Sequence, residues 1–327
     1  MRIVFMGSAD VSSVVLRALV TAPTLQVVGV VTQPDRPAGR QRRLAPCDGK
    51  REAELHGLPV LTPEKLNRPE VIEQLVTWAP DVIVVVAYGQ FLGARILALP
   101  PLGCINVHLS LLPLLRGAAP VHRAIAAGHD LTGVTIMQMD KGMDSGDILL
   151  QQTEPIFFDD TAGTLHDRLS ALGAQLILQA LPALAAGQLV PRQQNELRVT
   201  FAPKLTKEEG HIDWTLPACE LALRIRAFNP WPACHTWLTI LRHGRPQQER
   251  LKILQADAEP VPPGATPGEP GQLIHLAPLG PAIATGDGWL RLRAVQRAGG
   301  RVIDGAAFIC GFPLTVGQRI QDAPAIP

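Results

Sequence analysis

The chain has 327 residues, 46% hydrophobic and 18% charged, with 30 Lys and Arg against 29 Asp and Glu and a formal charge of +1. At roughly 150 residues per domain this length implies two domains, and so neutral a total excludes a histone-like polyanion binder but not a local basic patch. The longest apolar runs, such as residues 82–87, fall far short of the roughly 18 residues that a membrane span needs, so no bilayer-crossing segment is expected.

Residues 3–6 read as a first strand, since a single positive charge and a short apolar stretch do not make a signal peptide. Asp10 is a candidate cap for a helix through Val14, Val15 and Leu19, and residues 27–31 form a second strand. Thr62-Pro63-Glu64 reads as a cap with proline at the first helical position, and Pro69 opens another helix to Trp78. Residues 82–86 are nearly all apolar, as a strand covered on both faces must be. Further strands are expected at 104–107, 134–139 and 148–151, and helices at 118–127, ended by Gly128, and 164–186, ended by Gly187. This alternation predicts an α/β fold, a Rossmann-like, doubly wound, mostly parallel sheet over residues 1–188.

From 188 to 200 the texture turns irregular and polar, and residues 189–204 are expected to link two domains. Short strand-like segments at 251–254, 282–284 and 289–293, preceded by a helix near 218–227, predict a smaller C-terminal β-barrel (OB-like) over residues 205–327. The Pro/Gly-rich stretch 259–271 is read as a long loop inside that domain. The five cysteines are scattered without a C-x-x-C pair, which fits reduced thiols in a cytoplasmic protein.

In a doubly wound sheet the ligand crevice lies outside the carboxyl ends of the strands. Three places qualify: Ala87-Tyr88-Gly89-Gln90, Asn106-Val107-His108, and the loop from Asp140 to Asp147. Asn106 and His108 are two apart on an extended segment, so their side chains share one face. An amide and an imidazole in one cleft can hold a developing oxyanion, and the imidazole can move a proton. Asp144 is the best-placed carboxylate to orient the histidine, with Asp140 and Asp147 as spares; the bland alternative is a polar strand end beside turn-forming aspartates. No G-x-G-x-x-G, Walker, G-x-S-x-G or H-E-x-x-H pattern competes, and no metal site is expected.

Residues 33–51 carry Arg36, Arg40, Arg42, Arg43, Lys50 and Arg51 against Asp35 and Asp48, a local charge of +4 on what reads as an exposed loop beside the crevice. Charge alone leaves a phosphate-rich partner and a merely solvated loop equally open. Arg291 and Arg293 alternate with Leu290 and Leu292, so a basic strand face for a nucleic-acid backbone stands against an ordinary half-exposed strand.

Three segments together, Asn106-Val107-His108-Leu109-Ser110-Leu111-Leu112-Pro113, Arg116-Gly117-Ala118-Ala119-Pro120 and Met139 through Asp147, resemble the 10-formyltetrahydrofolate-dependent formyltransferases. The resemblance implies Asn106, His108 and Asp144 as catalytic groups and selects Asp144 over its neighbours. It implies 10-formyltetrahydrofolate as cosubstrate, held by Tyr88, Gly89, Gln90, Ser110, Leu111, Leu112, Pro113, Asp140 and Gly142. Thr32 through Arg40 is similar to the tRNA-contacting insertion of family members that formylate methionyl initiator tRNA, and Ile225 through Pro232 is similar to their C-terminal domain. It follows that Arg36, Arg40, Arg42, Arg43, Arg291 and Arg293 are expected tRNA contacts, with the chain a monomer. The rival readings are a formyltransferase for a small amine, an amino-sugar nucleotide or glycinamide ribonucleotide, and a nonenzymatic folate- or RNA-binding protein. The resemblance is weakest over 255–282, and Leu114-Leu115 and Gln90-Phe91 depart from the family's usual residues.

Overall fold

A computed structural model describes residues 1–38, 43–242, 245–312 and 314–320. It comprises two compact units. The first holds Met1–Pro120, Asp130–Ile156 and Thr164–Pro203; the second holds Val121–His129, Phe157–Gly163 and Lys204–Pro327.

In chain order the elements up to the end of the first sheet are β1 (Arg2–Gly7), α1 (Asp10–Thr21), β2 (Gln26–Val31), β3 (Arg36–Ala38), β4 (Arg43–Ala45), α2 (Asp48–Leu55), β5 (Val60–Leu61), α3 (Pro69–Trp78), β6 (Val82–Val86), α4 (Ala94–Leu97), β7 (Cys104–His108), α5 (Pro120–Ala126), β8 (Leu131–Gln138), β9 (Ile148–Pro155) and α6 (Ala162–Ala185). Seven strands form one sheet in the order β5-β2-β1-β6-β7-β8-β9. The first five in that order pair in parallel, and β8 pairs antiparallel with both β7 and β9. The order reverses between β1 and β6, whose carboxyl ends meet at Gly7 and Val86.

Alternation along the strands sends Val4, Met6, Ile83 and Val85 into a cluster with Val71, Ile72 and Leu75 of α3 and Ile96 of α4. Ile3, Phe5 and Val84 project to the other face and are equally buried, which is why β6 carries no polar residue. Pro69 stands in the first turn of α3, where its missing N–H leaves no orphan.

Two expectations are corrected. Thr62-Pro63-Glu64 starts no helix, because the Gln90 side chain satisfies that backbone: its Oε1 accepts from Leu66 N at 2.9 Å and its Nε2 donates to Pro63 O at 3.2 Å. Asp10 is the first residue of α1 rather than its cap, with Oδ1 accepting from Val11 N at 2.9 Å. By length and composition α6 is long and apolar enough to cross a membrane. Leu165, Leu169, Leu176, Ile177 and Leu181 bury its apolar side in this structure, as in a core helix.

The second unit adds α7 (Ala218–Ala227), β10 (His235–Arg242), β11 (Arg245–Glu259), β12 (Leu273–Ala277), β13 (Gly280–Ala284), β14 (Trp289–Arg297), β15 (Val302–Asp304) and α8 (Gly305–Gly311). Its sheet is antiparallel in the order β10-β11-β14-β13-β12, with β15 on β14, and it curls into a half-barrel. Register shifts between Ile253 and Ala256 bend β11, as bulges do. Leu221 and Ile225 of α7 are buried. Residues 260–272 join β11 to β12 as a loop within this unit, fastened where Trp289 Nε1 donates to Pro267 O at 2.8 Å.

Candidate active site

The site grows out of β7. Asn106 and His108 lie on one side of the strand, both less than a tenth exposed, opposite Met137 and Thr135 of β8. Thr135 shapes the turn that follows: its hydroxyl donates to Ser110 O at 2.6 Å and accepts from Leu112 N at 3.1 Å. Gln151 Nε2 donates to Leu112 O at 2.9 Å. Residues 110–113 are thereby held beside the end of β7.

The Asp140–Asp147 loop reaches the site by a route that parallel-sheet reasoning did not anticipate. Because β8 is antiparallel to β7, the loop departs beside the start of β7, where Met139 N donates to Cys104 O at 2.8 Å. It closes on itself at once: Asp140 Oδ1 accepts from Gly142 N at 2.9 Å and Ser145 Oγ at 2.8 Å. Gly146 passes so near Gln138 O that a Cβ would lie 1.8 Å from it. This tight loop swings Asp144 over the face of β7, with its backbone in the left-handed region at φ +52°. An aspartate tolerates that conformation better than most L-residues.

There the Asp144 carboxylate meets both β7 side chains. Asn106 Nδ2 donates to its Oδ1 at 3.3 Å, and His108 Nδ1 stands 3.7 Å from its Oδ2. Gly117 N donates to the same Oδ2 at 2.8 Å. His108 Nε2 donates to Leu115 O at 3.0 Å, so the imidazole has an acceptor facing each nitrogen. Leu115 is also left-handed, at φ +61°, and its N–H donates to Thr200 Oγ1 at 2.9 Å. Backbone strain of this kind, about 1–3 kcal/mol for each residue, concentrates where geometry serves function. Asn106 uses one amide hydrogen on Asp144; among the described residues no partner takes the other.

The structure thus brings together Asn106, His108 and Asp144, with residues 110–113 following at the end of β7 and Asp140 and Gly142 in the loop that carries Asp144. The stretch after β6 behaves differently. The Tyr88 side chain is 2% exposed in the core cluster, and burial pushes its hydroxyl up to about 12. The Gln90 amide is occupied on the 63–66 backbone. The main chain of 88–90 has Gly89 at φ +84° and Tyr88 O accepting from Gln33 Nε2 at 3.1 Å. A tyrosine beside a glycine looks like a binding loop in sequence, and only packing reveals it as core.

Part of the basic segment is a small hairpin of β3 and β4. Its two carboxylates are taken by Lys50, 2.8 Å from Asp35, and by Arg51 on Asp48. Arg36, 3.8 Å from Glu64, and Arg43 are exposed, whereas Arg40 and Arg42 lie outside the described residues. The basic strand face is not free. Arg291 is buried, with Nε and Nη2 on Glu259 at 2.5 and 2.6 Å and Nη1 on Gly280 O at 2.8 Å. Arg293 pairs with Asp257 at 3.4 Å. The acids sit on the neighbouring strand β11, diagonal to the arginines they pair with, since Glu259 is in register with Trp289 and Asp257 with Arg291, which a reading of β14 alone does not contain.

Sequence reasoning also missed the segment below the site. Residues 189–203, expected within a linker, run along the first unit: Arg192 and Ile148 exchange backbone hydrogen bonds at 2.8 and 2.9 Å, and Arg116 N donates to Thr200 O at 2.9 Å. Gln194 reaches the Asp144 loop from this segment. Polar composition is all that marked it, and that is the signature of a linker.

This architecture, a mostly parallel sheet followed by an antiparallel unit, is also that of an N-formyltransferase from Helicobacter canadensis crystallised with folinic acid and dTDP-3-aminofucose. That structure superposes over 90% of this chain and 99% of its own with a TM-score of 0.59 at 17% identity, which places the chain in the same fold class. Residues 1–181 match the formyl transferase profile and residues 204–313 match that of the formyl transferase C-terminal domain. The chain is 46% identical over 301 residues, 92% of its length and 93% of the relative's, to the methionyl-tRNA formyltransferase of Marinobacter nauticus. It is also 46% identical over its whole length to that of Stutzerimonas stutzeri, of which it covers 98%. The chain belongs to the formyl transferase family.

Proposed function

We propose that this chain transfers the formyl group of 10-formyltetrahydrofolate to the α-amino group of methionine on initiator tRNA. The observation that carries this reading is the 46% identity with a methionyl-tRNA formyltransferase across the entire chain, both units included. Residues 1–188 are read as the catalytic domain and 205–327 as the domain that helps hold tRNA.

The chemistry follows from the groups on β7. The neutral amine attacks the formyl carbon, a tetrahedral oxyanion forms, and the bond to the folate nitrogen breaks as a proton moves from amine to leaving nitrogen. Asn106 donates its second amide hydrogen to the oxyanion, in the manner of a preorganised oxyanion hole. Asp144, fixed by Gly117 N and Asn106, takes the proton from the attacking amine. His108, with Nδ1 toward that carboxylate, carries the proton onward. No covalent enzyme intermediate is needed, because the amine is itself the nucleophile.

The folate fits a cradle of the Gly89 main chain, the 110–113 turn and the Asp140–Gly142 turn. At Gly142 a Cβ would lie 2.0 Å from Ser145 Oγ, so the loop keeps a bare surface there. The basic hairpin, with Arg36 and Arg43 exposed, contacts tRNA phosphates. The test offers the full chain formylated folate with methionyl initiator tRNA, an amino-sugar nucleotide or glycinamide ribonucleotide. Formylation of the tRNA-borne methionine is expected, and preference for either small amine would overturn the reading.

A further inference from the structure

One side-chain amide ties together both ends by which Asp144 is held. Gln194 Nε2 donates to Asp144 O at 2.8 Å and to Gly146 O at 2.7 Å. Its Oε1 accepts from Arg116 Nε at 3.1 Å and Nη2 at 2.9 Å. Arg116 is buried, its charge balanced by Glu196, with Nη2 2.7 Å from Oε1. The residue after Arg116 is Gly117, whose N–H holds the Asp144 carboxylate. Gln194 therefore grips the Asp144 main chain with its donors and, through Arg116, the segment carrying the carboxylate's own donor with its acceptor.

The two carbonyls converge on one nitrogen in a loop that is wound through Asp144 in its left-handed conformation. The glutamine is fully used, two hydrogens given and two bonds accepted, which a solvated linker residue would not be. From this geometry we infer that Gln194 is a positioning residue for formyl transfer, setting the direction in which the Asp144 carboxylate faces the amine. The inference rests on the role given to Asp144 in the proposed function.

Glutamate tests it more sharply than alanine. Gln194→Glu keeps the acceptor for Arg116 but turns an oxygen toward the two carbonyls, so the Asp144 grip is lost while the Arg116 contact survives. Steady-state and single-turnover formylation are measured for the full chain, for Gln194→Glu, for Asp144→Asn and for the double variant, with thermal unfolding alongside. A displacement of the carboxylate of about 1 Å is expected to lower kcat roughly 10- to 100-fold. KM for both substrates should move less than about threefold, the pattern of an interaction made in the transition state. In the Asp144→Asn background the same substitution should add less than about twofold, since the group it positions is gone.

A kcat for Gln194→Glu within about twofold of the unaltered chain overturns the inference, and so does an equal fold loss in both backgrounds, the mark of general destabilisation. An Asp144→Asn variant with unaltered kcat overturns it too, because nothing would remain to position. If the unaltered chain formylates a small amine in place of tRNA, the functional reading fails, and the same four proteins assayed with that amine still decide the role of Gln194.

Discussion

Replacing Arg291 by alanine separates the basic-face reading of β14 from the structural one. The substitution removes two bonds to Glu259, at 2.5 and 2.6 Å, and one to the Gly280 carbonyl at 2.8 Å. A buried carbonyl left without a donor costs about 1–3 kcal/mol. Stranding the partner of a fully buried ion pair costs about 3–5 kcal/mol, a figure to be reduced here because the Glu259 side chain is 32% exposed and keeps part of its hydration. The two together give an expected loss of about 3 kcal/mol. Urea unfolding followed by tryptophan fluorescence reads this directly, since Trp214, Trp231, Trp237 and Trp289 all lie in the second unit. Removing both charges, Arg291→Met with Glu259→Met, should recover most of the loss. The reasoning is refuted if Arg291→Ala leaves the unfolding midpoint in place and instead lowers the salt slope of tRNA binding by about one, the response of a phosphate contact.

Asn106→Ala should lower kcat about 10²- to 10³-fold while folate binding measured by fluorescence titration stays close to normal; near-normal turnover would remove Asn106 from the oxyanion role. Neutralising Arg40 and Arg42 together should raise KM for tRNA and reduce its salt slope by about two, and an unchanged slope would take this segment out of the interface. Burial first, and then the charge of Arg250, hold the His235 imidazole below its ordinary value of 6.5, with His211 against it. A histidine depressed in the folded state contributes stability that is present above the unfolded pKa and lost as pH falls through 6.5 toward the folded value. Thermal unfolding of His235→Gln should therefore fall less steeply between about pH 7 and pH 5 than that of the unaltered chain, and parallel curves would show that His235 does not carry this dependence.

What could be read in advance depended on how local its cause was. The apolar run of β6, the proline opening α3 and the two-residue spacing of Asn106 and His108 are properties of a few adjacent residues, and each is where its pattern placed it. The direction of β8 is not such a property. Its residues satisfy a strand pattern in either sense, and only its pairing on β7, Ile105 against Gln138 and His108 against Thr135, shows that it runs antiparallel. Tyr88 illustrates a second limit: glycine beside an aromatic residue suits both a ligand loop and a strand end folding into its core, and much of the cluster that it joins, Val4, Leu66 and Ile72 among it, is distant in sequence. Gln194 illustrates a third, since its contacts lie 48 and 50 residues away on another loop.

The charge of +1 shows the same division between what adjacent residues display and what the fold arranges. Along β14 the arginines at 291, 293 and 297 look like a basic stripe, but β11 supplies Glu259, Asp257 and Glu249 to meet them. Arg17 is likewise matched by Glu52 and Arg123 by Glu209, and in each case the cation holds the carboxyl below the usual carboxylate range. Net charge therefore says little about a polyanionic partner, because cations already paired across strands release few counterions when a phosphate approaches. What matters is where cations exceed the acids that the fold can bring to them. In the 33–51 segment both carboxylates are consumed by Lys50 and Arg51, and Arg36 and Arg43 stand exposed on strands paired only with each other. A salt slope set by this one segment, and insensitive to Arg291, is the electrostatic signature that such a distribution requires.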